Sequence, residues 1–336
     1  MKNKGLLEYV GNFRGRSLAV MGDLMLDRYI WVSSSRISQE APVPVVQVQR
    51  QTSVPGGAAN VARNVLSLGG RAELFGGVGE DTEGAELCRL LGECGACLHG
   101  VLAVGGRPTT VKTRVLAGNQ QVVRIDREQA APVSGVVRRK LREAVEEAIC
   151  HGRVGGLVLE DYSKGVFGKG FMQAVASYAA DHGIVTALDP HPNNCFNVKG
   201  LYLMTPNRRE AFALAGARYV PGTGEPLKDR ALQKVASTIR RLWRPRHLLI
   251  TLGAEGMALF SEDAEGTVHI PTRARQVFDV SGAGDTVMAT MMMALLAGAG
   301  VNEAAQIANH AAGVVVGLVG TAAIDLKSLS DSIQGG

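Results

Sequence analysis

The feature that most restricts what this chain can fold into is a repeated alternation of short apolar runs with helical patterns. SLAVM (17–21) reads as a buried strand and NVARNVLSLG (60–69) as an amphipathic helix. AELFGGV (72–78) is a strand, followed by a helix over TEGAELCRLLGECG (82–95). GLVLE (156–160) precedes the helical stretch FMQAVASYAADHG (171–183), and VTALD (185–189) follows it. YLMTP (202–206) leads into NRREAFALAG (207–216), and HLLIT (247–251) extends the series. Runs that are apolar throughout, not at every second residue, are buried on both faces, and strands joined by helices pair in parallel. The expected class is therefore α/β, with a mostly parallel central sheet covered by helices on both sides. At 336 residues the chain can bury the core of one large domain or of two smaller ones.

Two segments break that rhythm. Residues 31–54 contain PVPVVQVQRQ, which alternates with period two. Residues 108–127, PTTVKTRVLAGNQQVVRIDR, read as two alternating strands around the turn Ala117-Gly118-Asn119. Neither has a crossover helix beside it. The expectation is an antiparallel flap over one end of the main sheet, with lid segments at about 31–54 and 101–126; the plainer alternative is a pair of edge hairpins. A lid serves reactions that must exclude water.

Composition narrows the function classes. The net charge of +5 is scattered, and RRKLRE (138–143) and RRLWRPRH (240–247) lie in amphipathic helical stretches, as solvated faces do. Aromatics are 5% and do not interleave with the basic residues, which argues against nucleic acid as a partner. The five cysteines (88, 94, 97, 150, 195) are odd in number, and Cys94-Gly-Ala-Cys97 has no second pair. They read as free, mostly buried thiols in a reducing compartment. The N-terminus has no signal-peptide core and no run of 18 apolar residues occurs, so a cytoplasmic protein without a membrane partner is expected.

Chemistry is concentrated in VFDVSGAGDTVMA (277–289). The run TVMATMMMALLAG (286–298) has the length and residue types of a buried helix. Gly282-Ala283-Gly284 then form its N-terminal turn, where free amides and the dipole attract anions. Asp285 there is either a helix cap or a general base beside an anion hole, as phosphoryl transfer to a hydroxyl requires. The first strand ends in MGDLMLDRY, placing Asp23 and Asp27 at the carboxyl end where open α/β sheets bind ligands; no dinucleotide fingerprint follows. In PGGAANVARN, Gly56 and Gly57 allow close backbone approach and Asn60 opens a helix. Asn207 and Glu210 are three apart at a helix start, a spacing that suits hydrated Mg²⁺ or, alternatively, a capping box. TLGAEG (251–256) is a glycine-bearing turn that either approaches a phosphate or joins two strands.

Singly these are ambiguous, but their joint order resembles the ribokinase-like (PfkB) carbohydrate kinases over nearly the whole chain: GGxxN ending at Asn60, NxxE at 207–210, TxGxxG at 251–256 and DxxGAGD at 279–285. The resemblance implies a single ribokinase-like domain over 1–336, a three-layer sandwich with a small β-lid, using ATP, Mg²⁺ and a monovalent cation such as K⁺. It implies that Gly282, Ala283 and Gly284 stabilise the transferring phosphoryl group and that Asp285 is the base. Asp27, Gly56, Gly57 and Asn60 match the sugar-binding positions. Thr251, Gly253 and Gly256 match the nucleotide loop, and Asn309 a residue near the adenine. Asn207 and Glu210 match the Mg²⁺ position, held through water. Asp279, Ser281 and backbone carbonyls around Val316–Gly320 match the monovalent-cation site.

Within the family, SRISQEAPVPVV (35–46), RVLAGNQQVVRID (114–126), DYSKG (161–165) and AAGVVVGLVGT (311–321) resemble D-glycero-β-D-manno-heptose-7-phosphate kinases. These phosphorylate the anomeric hydroxyl on the way to ADP-heptose for lipopolysaccharide, and some carry a fused nucleotidyltransferase; a chain ending at Gly336 is expected to hold only the kinase. A phosphorylated sugar needs additional cations, for which Lys112, Arg114, Arg124 and Lys164 are the candidates. Three positions depart from the pattern: Gly118 and His191 where relatives usually carry a basic residue, and Glu160 where they usually carry Ser. Competing readings are a kinase of the same family acting on ribose, fructose 1-phosphate, tagatose 6-phosphate or a nucleoside, and a non-catalytic sugar or nucleotide sensor on the same fold. A dehydrogenase is disfavoured by the missing glycine fingerprint. Exposed lid strands suggest a homodimer formed through the lid.

Overall fold

A computed structural model describes residues 2–118, 120–262, 266–274 and 276–335. The strands in chain order are β1 (Ser17–Gly22), β2 (Leu24–Ile37), β3 (Pro44–Gly57), β4 (Arg71–Gly79), β5 (Cys97–Val104), β6 (Thr110–Ala117) and β7 (Gln120–Arg127). They continue with β8 (Gly156–Glu160), β9 (Val185–Asp189), β10 (Leu203–Met204), β11 (His247–Thr251), β12 (Met257–Ser261) and β13 (Thr267–Ile270). The helices are α1 (Lys2–Gly11), α2 (Ala58–Ser67), α3 (Thr82–Glu93), α4 (Gly135–Cys150) and α5 (Lys169–Asp181). After them come α6 (Arg208–Leu214), α7 (Arg230–Trp243), α8 (Ala283–Leu296), α9 (Val301–Val315) and α10 (Leu326–Gln334). Among the described residues no helix is long and apolar enough to cross a membrane.

Nine strands form the main sheet in the order β13-β12-β11-β10-β9-β8-β1-β4-β5. Every pair from β11 to β5 is parallel, and β12 runs antiparallel to both of its neighbours, β11 and β13. The period of the side chains explains the continuous apolar runs. Leu18 and Val20 of β1 join one core with Val61, Val65 and Met288, whereas Ala19 and Met21 join the other with Leu141, Val145 and Met172. A strand buried on both faces can spare no position for a polar residue. Helix α8 is buried from Asp285 to Ala294, and Met292 packs over Gly156 while Met293 packs over Gly70. An all-round apolar helix must be covered on every side, so only its N-terminal end is left for polar groups.

The two irregular segments do form a separate sheet, in the order β3-β2-β6-β7, but with differences from the expected flap. The pairs β2·β3 and β6·β7 are antiparallel, whereas β2 and β6 pair in parallel, Asp27 lying opposite Lys112. Strand β2 continues from β1 and β6 follows β5, so both leave the main sheet at its carboxyl end and travel the same way. The lid also starts earlier and later than its sequence bounds. Strand β2 begins at Leu24 and β3 runs to Gly57, while residues 101–104 belong to β5, the edge of the main sheet. At the β6–β7 turn Gly118 has φ 61°, a conformation glycine adopts without strain; Asn119 lies outside the described residues. The cysteines are free, yet none is buried: Cys94 caps α3 and Cys150 ends α4, and both are exposed, as is Cys195. Helix ends face solvent, and that overrides the usual burial of thiols.

Candidate active site

Asp285 lies in the first turn of α8 and is 3% exposed. It is not the helix cap, because Gly282 holds the N-cap position with no side-chain cap bond. Instead Oδ2 of Asp285 accepts from Nδ2 of Asn60 at 2.7 Å and Oδ1 accepts from the Tyr162 hydroxyl at 2.6 Å. Burial pushes the carboxyl up from its ordinary value, and the Tyr162 and Asn60 hydrogen bonds pull it back. Gly282 has φ 76°, and a methyl there would meet Asn60 Nδ2 at 2.7 Å and Thr321 Cγ2 at 2.9 Å. Glycine is what lets the helix start approach Asn60 this closely. Gly284 is exposed, so the turn faces outward with first-turn amides that have no acceptor in their own helix.

The sugar-side expectations converge on the same place. Asp27 is buried, with Oδ1 accepting from Arg114 at 2.8 Å and Oδ2 accepting from the Thr321 hydroxyl at 2.9 Å. Tyr29 closes this network, its hydroxyl lying 2.8 Å from Thr321 Oγ1 and accepting from the Thr321 amide at 2.7 Å. A side chain on Gly56 would meet Asp27 at 2.8 Å, and Gly57, at φ 57°, lies against Met25 and the Asp23 carbonyl. Of the four candidate phosphate cations, three already have carboxylate partners. Arg114 pairs with Asp27, Arg124 with Asp126 at 2.9 Å, and Lys164 with Glu128 at 2.7 Å. The sequence pattern around these cations did not reveal their acidic partners. Lys112 is different: among the described residues it makes no ion pair, and its Nζ lies 4.9 Å from the centre of the Tyr162 ring.

The nucleotide-side residues form a continuous line. Asn207 bridges to Thr251, whose strand continues into the Gly253–Gly256 turn; both glycines have positive φ. Gly256 abuts the Ile270 and Pro271 backbone, and Asn309 donates to the Pro271 carbonyl at 2.6 Å. Asn207 and Glu210 form the capping box of α6, each side chain accepting from the other's amide at 3.0 and 2.8 Å. The commoner explanation of their spacing is thus present, and it uses one oxygen of Glu210. Asp279 accepts from the amides of Ser281 (2.9 Å) and Gly320 (3.1 Å), which ties DxxGAGD to the 316–320 segment. The Val316 carbonyl accepts from Phe278 and Asp279, which leaves the later carbonyls of that segment as the better cation donors. A concavity of about 790 Å³ between α9, α10, residues 272–274 and Gln276 contains neither Asp285 nor the lid cations.

Several participants were not foreseen. Asp23 is not a ligand face but a clamp: it accepts from the amides of Tyr162 (2.9 Å), Lys164 (3.0 Å) and Val166 (3.4 Å), and so holds the DYSKG loop. Glu160 is fully buried, no donor reaches either of its oxygens, and it faces the carboxyl of Asp189, its register partner across β8 and β9. Burial, the first cause, pushes both carboxyls well above the ordinary range; the charges of Asp189 and Asp285 add to it at Glu160 and those of Glu210 and Asp285 at Asp189, while a hydrogen bond from Glu160 draws Asp189 part of the way back. Hard oxygen donors crowded in this way suit a divalent cation beside the α8 turn. Asp189 Oδ2 lies 3.8 Å from where a Gly284 side chain would begin. The sequence signal was the acid at the carboxyl end of each of two adjacent strands.

Burial raises Asp23 to about 6. A carboxyl raised above its unfolded value stabilises the fold at low pH, and that contribution is lost as pH rises from about 4 through about 6. His191 and His310, whose ring values burial lowers, act in the opposite sense, so the informative comparison is with a variant. Relative to wild type, Asp23→Asn should gain about 2 kcal/mol between pH 4 and pH 7.5, since one pKa unit is worth about 1.4 kcal/mol. Unfolding midpoints of both proteins across that range check it; parallel curves would contradict the assignment.

Comparison with known proteins agrees with this arrangement. The pfkB family carbohydrate kinase profile matches residues 16–328. The bifunctional protein HldE of Trichlorobacter lovleyi is 42% identical over 306 residues, 91% of this chain and 60% of that protein. HldE of Methylobacillus flagellatus is 39% identical over 317 residues, 94% of this chain and 63% of that protein. The chain thus spans about three-fifths of the length of these relatives. Among solved structures, Arabidopsis thaliana ribokinase complexed with ribose and ATP aligns at TM-score 0.71 with 22% identity, over 95% of this chain and 99% of that one. Escherichia coli phosphofructokinase-2 in complex with potassium aligns at 0.74 with 18% identity, over 96% and 99%. The fold is ribokinase-like, and the chain belongs to the pfkB family of carbohydrate kinases, sugar kinases that transfer phosphate to a hydroxyl.

Proposed function

We propose that this kinase transfers the γ-phosphoryl group of ATP to the anomeric hydroxyl of D-glycero-β-D-manno-heptose 7-phosphate, giving the 1,7-bisphosphate for ADP-heptose and lipopolysaccharide synthesis. The observation that carries the reading is Asp285, buried and held by two donors in the first turn of α8, where Gly284 is exposed. The acceptor oxygen forms its bond to phosphorus as the bond to ADP breaks, and its proton passes to Asp285. The amides and dipole of the α8 turn stabilise the charge on the transferring group. Asp27, the Gly56–Gly57 backbone and Asn60 orient the sugar. The heptose motifs and the HldE relatives support the choice of sugar, and Lys112, a lid cation without a carboxylate, supports a phosphorylated one.

ATP is supported by the family and by the ribokinase complex. Mg²⁺ would be held by Glu210 and Asn207 through water, with Asp189 and Glu160 supplying nearby charge, and it would neutralise phosphate oxygens. K⁺ is supported by the phosphofructokinase-2 complex, with Asp279, Ser281 and the 318–320 carbonyls as its donors. We place the protein in the cytoplasm, where ATP and sugar phosphates are found, and read the lid as a homodimer interface. Val48 on β3 and Val122 and Ile125 on β7, the two edges of the lid sheet, are exposed. Light scattering should give twice the chain mass; a monomer at micromolar concentration would remove that reading.

ADP release with heptose 7-phosphate, ribose, fructose 1-phosphate, tagatose 6-phosphate and a nucleoside, under Mg²⁺ and K⁺, tests the substrate. The heptose should give the highest kcat/KM. Lys112→Ala should raise KM for it about 10- to 100-fold, the worth of one charge-assisted contact. A sugar lacking the phosphate and turned over faster would overturn the choice.

A further inference from the structure

We propose that Tyr162 is a positioning residue for phosphoryl transfer, its hydroxyl aiming Asp285 and its ring seating Lys112 of the lid. This rests on Asp285 being the base. Tyr162 lies two residues beyond β8 and is fixed through its backbone. Its amide donates to Asp23, the Ser163 amide donates to Asp161 at 2.8 Å, and Asn194 holds both Asp161 oxygens at 3.0 and 2.9 Å. Ser163 takes φ 57°, which turns the chain so that Tyr162 points back toward α8. The phenol is surrounded by acids: burial first, then Asp285, Glu160 and Asp189, keep it protonated far above its ordinary range. The phenol hydroxyl donates to the Asp285 carboxylate it faces at 2.6 Å.

The consequence for Asp285 follows from its surroundings. Asn60 of α2 and Tyr162 each donate to one oxygen, leaving each oxygen a lone pair for an incoming hydroxyl. Asp27 on the lid raises its pKa and Lys112 lowers it; Glu160 and Asp189 at the sheet ends are the other acids nearby. Without the phenol, one oxygen keeps the burial penalty with no donor to offset it, so Asp285 takes up a proton at a higher pH. The ring does something else. Lys112 lies over its face, 4.9 Å from the centre, with burial lowering the lysine's pKa and Asp27 opposing that. A flat ring beneath an otherwise unpaired cation is a seat for it. One side chain therefore sets the distance between the base and the cation on the lid.

The two roles separate by substitution, because Phe keeps the ring and loses only the donor. In the full-length protein with heptose 7-phosphate, Tyr162→Phe should lower kcat about tenfold and move the acid limb of kcat/KM up by about half to one pH unit. KM for the sugar phosphate should change less than about twofold. Tyr162→Leu should show the same kcat loss and, in addition, a KM raised about fivefold or more, as Lys112 loses its seat. Unfolding midpoints within a few degrees of wild type exclude a folding defect, and the pH limb does not respond to one. Asp285→Asn, expected to lose about 10²- to 10⁴-fold in kcat, tests the underlying base assignment separately. If Asp285→Asn is inactive but Tyr162→Phe keeps wild-type kcat and pH limb, the Tyr162 role is wrong and the base stands. If Asp285→Asn retains more than about a tenth of kcat, the base reading itself falls and the role of Tyr162 with it.

Discussion

The rest of the site depends on one packing constraint: the N-terminus of α8 has to meet the carboxyl ends of β1, β8 and β9. Helix α8 is apolar on every side and is buried between the sheet and its neighbours α2 and α9. Its only polar surface is its first turn. Gly282, in a left-handed conformation and against Asn60 and Thr321, fixes where that turn lies. From this contact the other distances follow. Asn60 belongs to α2, Thr321 reaches Asp27 on the lid, and the carboxyl ends of β8 and β9 bring Tyr162 and Asp189 to the same turn. The proposed base, anion-binding turn and sugar-orienting acid thus share one rigid contact, which is what in-line transfer requires of its scaffold.

That convergence concentrates negative charge. Asp23, Glu160, Asp161, Asp189, Glu210 and Asp285 are all raised, burial being the first cause in every case. A core of desolvated acids is costly unless positive charge arrives, and the groups that can supply it locally are few. The α8 dipole is one and Lys112 is another, while Arg114, Arg124 and Lys164 are each taken by a lid or loop carboxylate. Such a site is poor in cations and rich in oxygen donors. Under the proposed function this imbalance would favour the entry of a divalent metal together with a polyanionic substrate.

Much of this was legible in the sequence because the signals were local. The apolar runs named the strands of the parallel sheet, GAGD named the α8 turn, and the alternating pattern of 108–127 named β6 and β7. The parts that were not legible are those where partners come from distant segments. Nothing local to Asp23 distinguishes a clamp on residues 162–166 from a ligand, because its donors are backbone amides some 140 residues away in sequence. The acids that neutralise Arg114 and Lys164, Asp27 and Glu128, lie in other segments; only Asp126, two residues beyond Arg124 on β7, is local. Parallel pairing of β2 with β6 could not be read from two hairpin-like patterns, because alternation reports which face a residue takes and not which way its neighbour runs.

The three departures from the heptose-kinase pattern take on different weights once placed. Gly118 is in an open turn at the tip of the lid, where nothing meets an added side chain, so it removes charge at the periphery. His191 is closer in. Burial first, and then Lys164 and Lys112, lower its ring pKa, so it stands near two lysines as a neutral group where relatives carry a cation. Replacing a charge with a neutral donor or acceptor there relieves repulsion between cations and leaves Lys112 as the principal one facing the cleft. Glu160 acts from the opposite side, buried behind Asp285 and touching no open surface. It adds negative charge on the Asp285 and Asp189 side while His191 subtracts positive charge near Lys112 and Lys164. The two changes shift the balance in the same direction, so that under the proposed function a bound metal and Lys112 would carry more of the work of holding anionic groups in place.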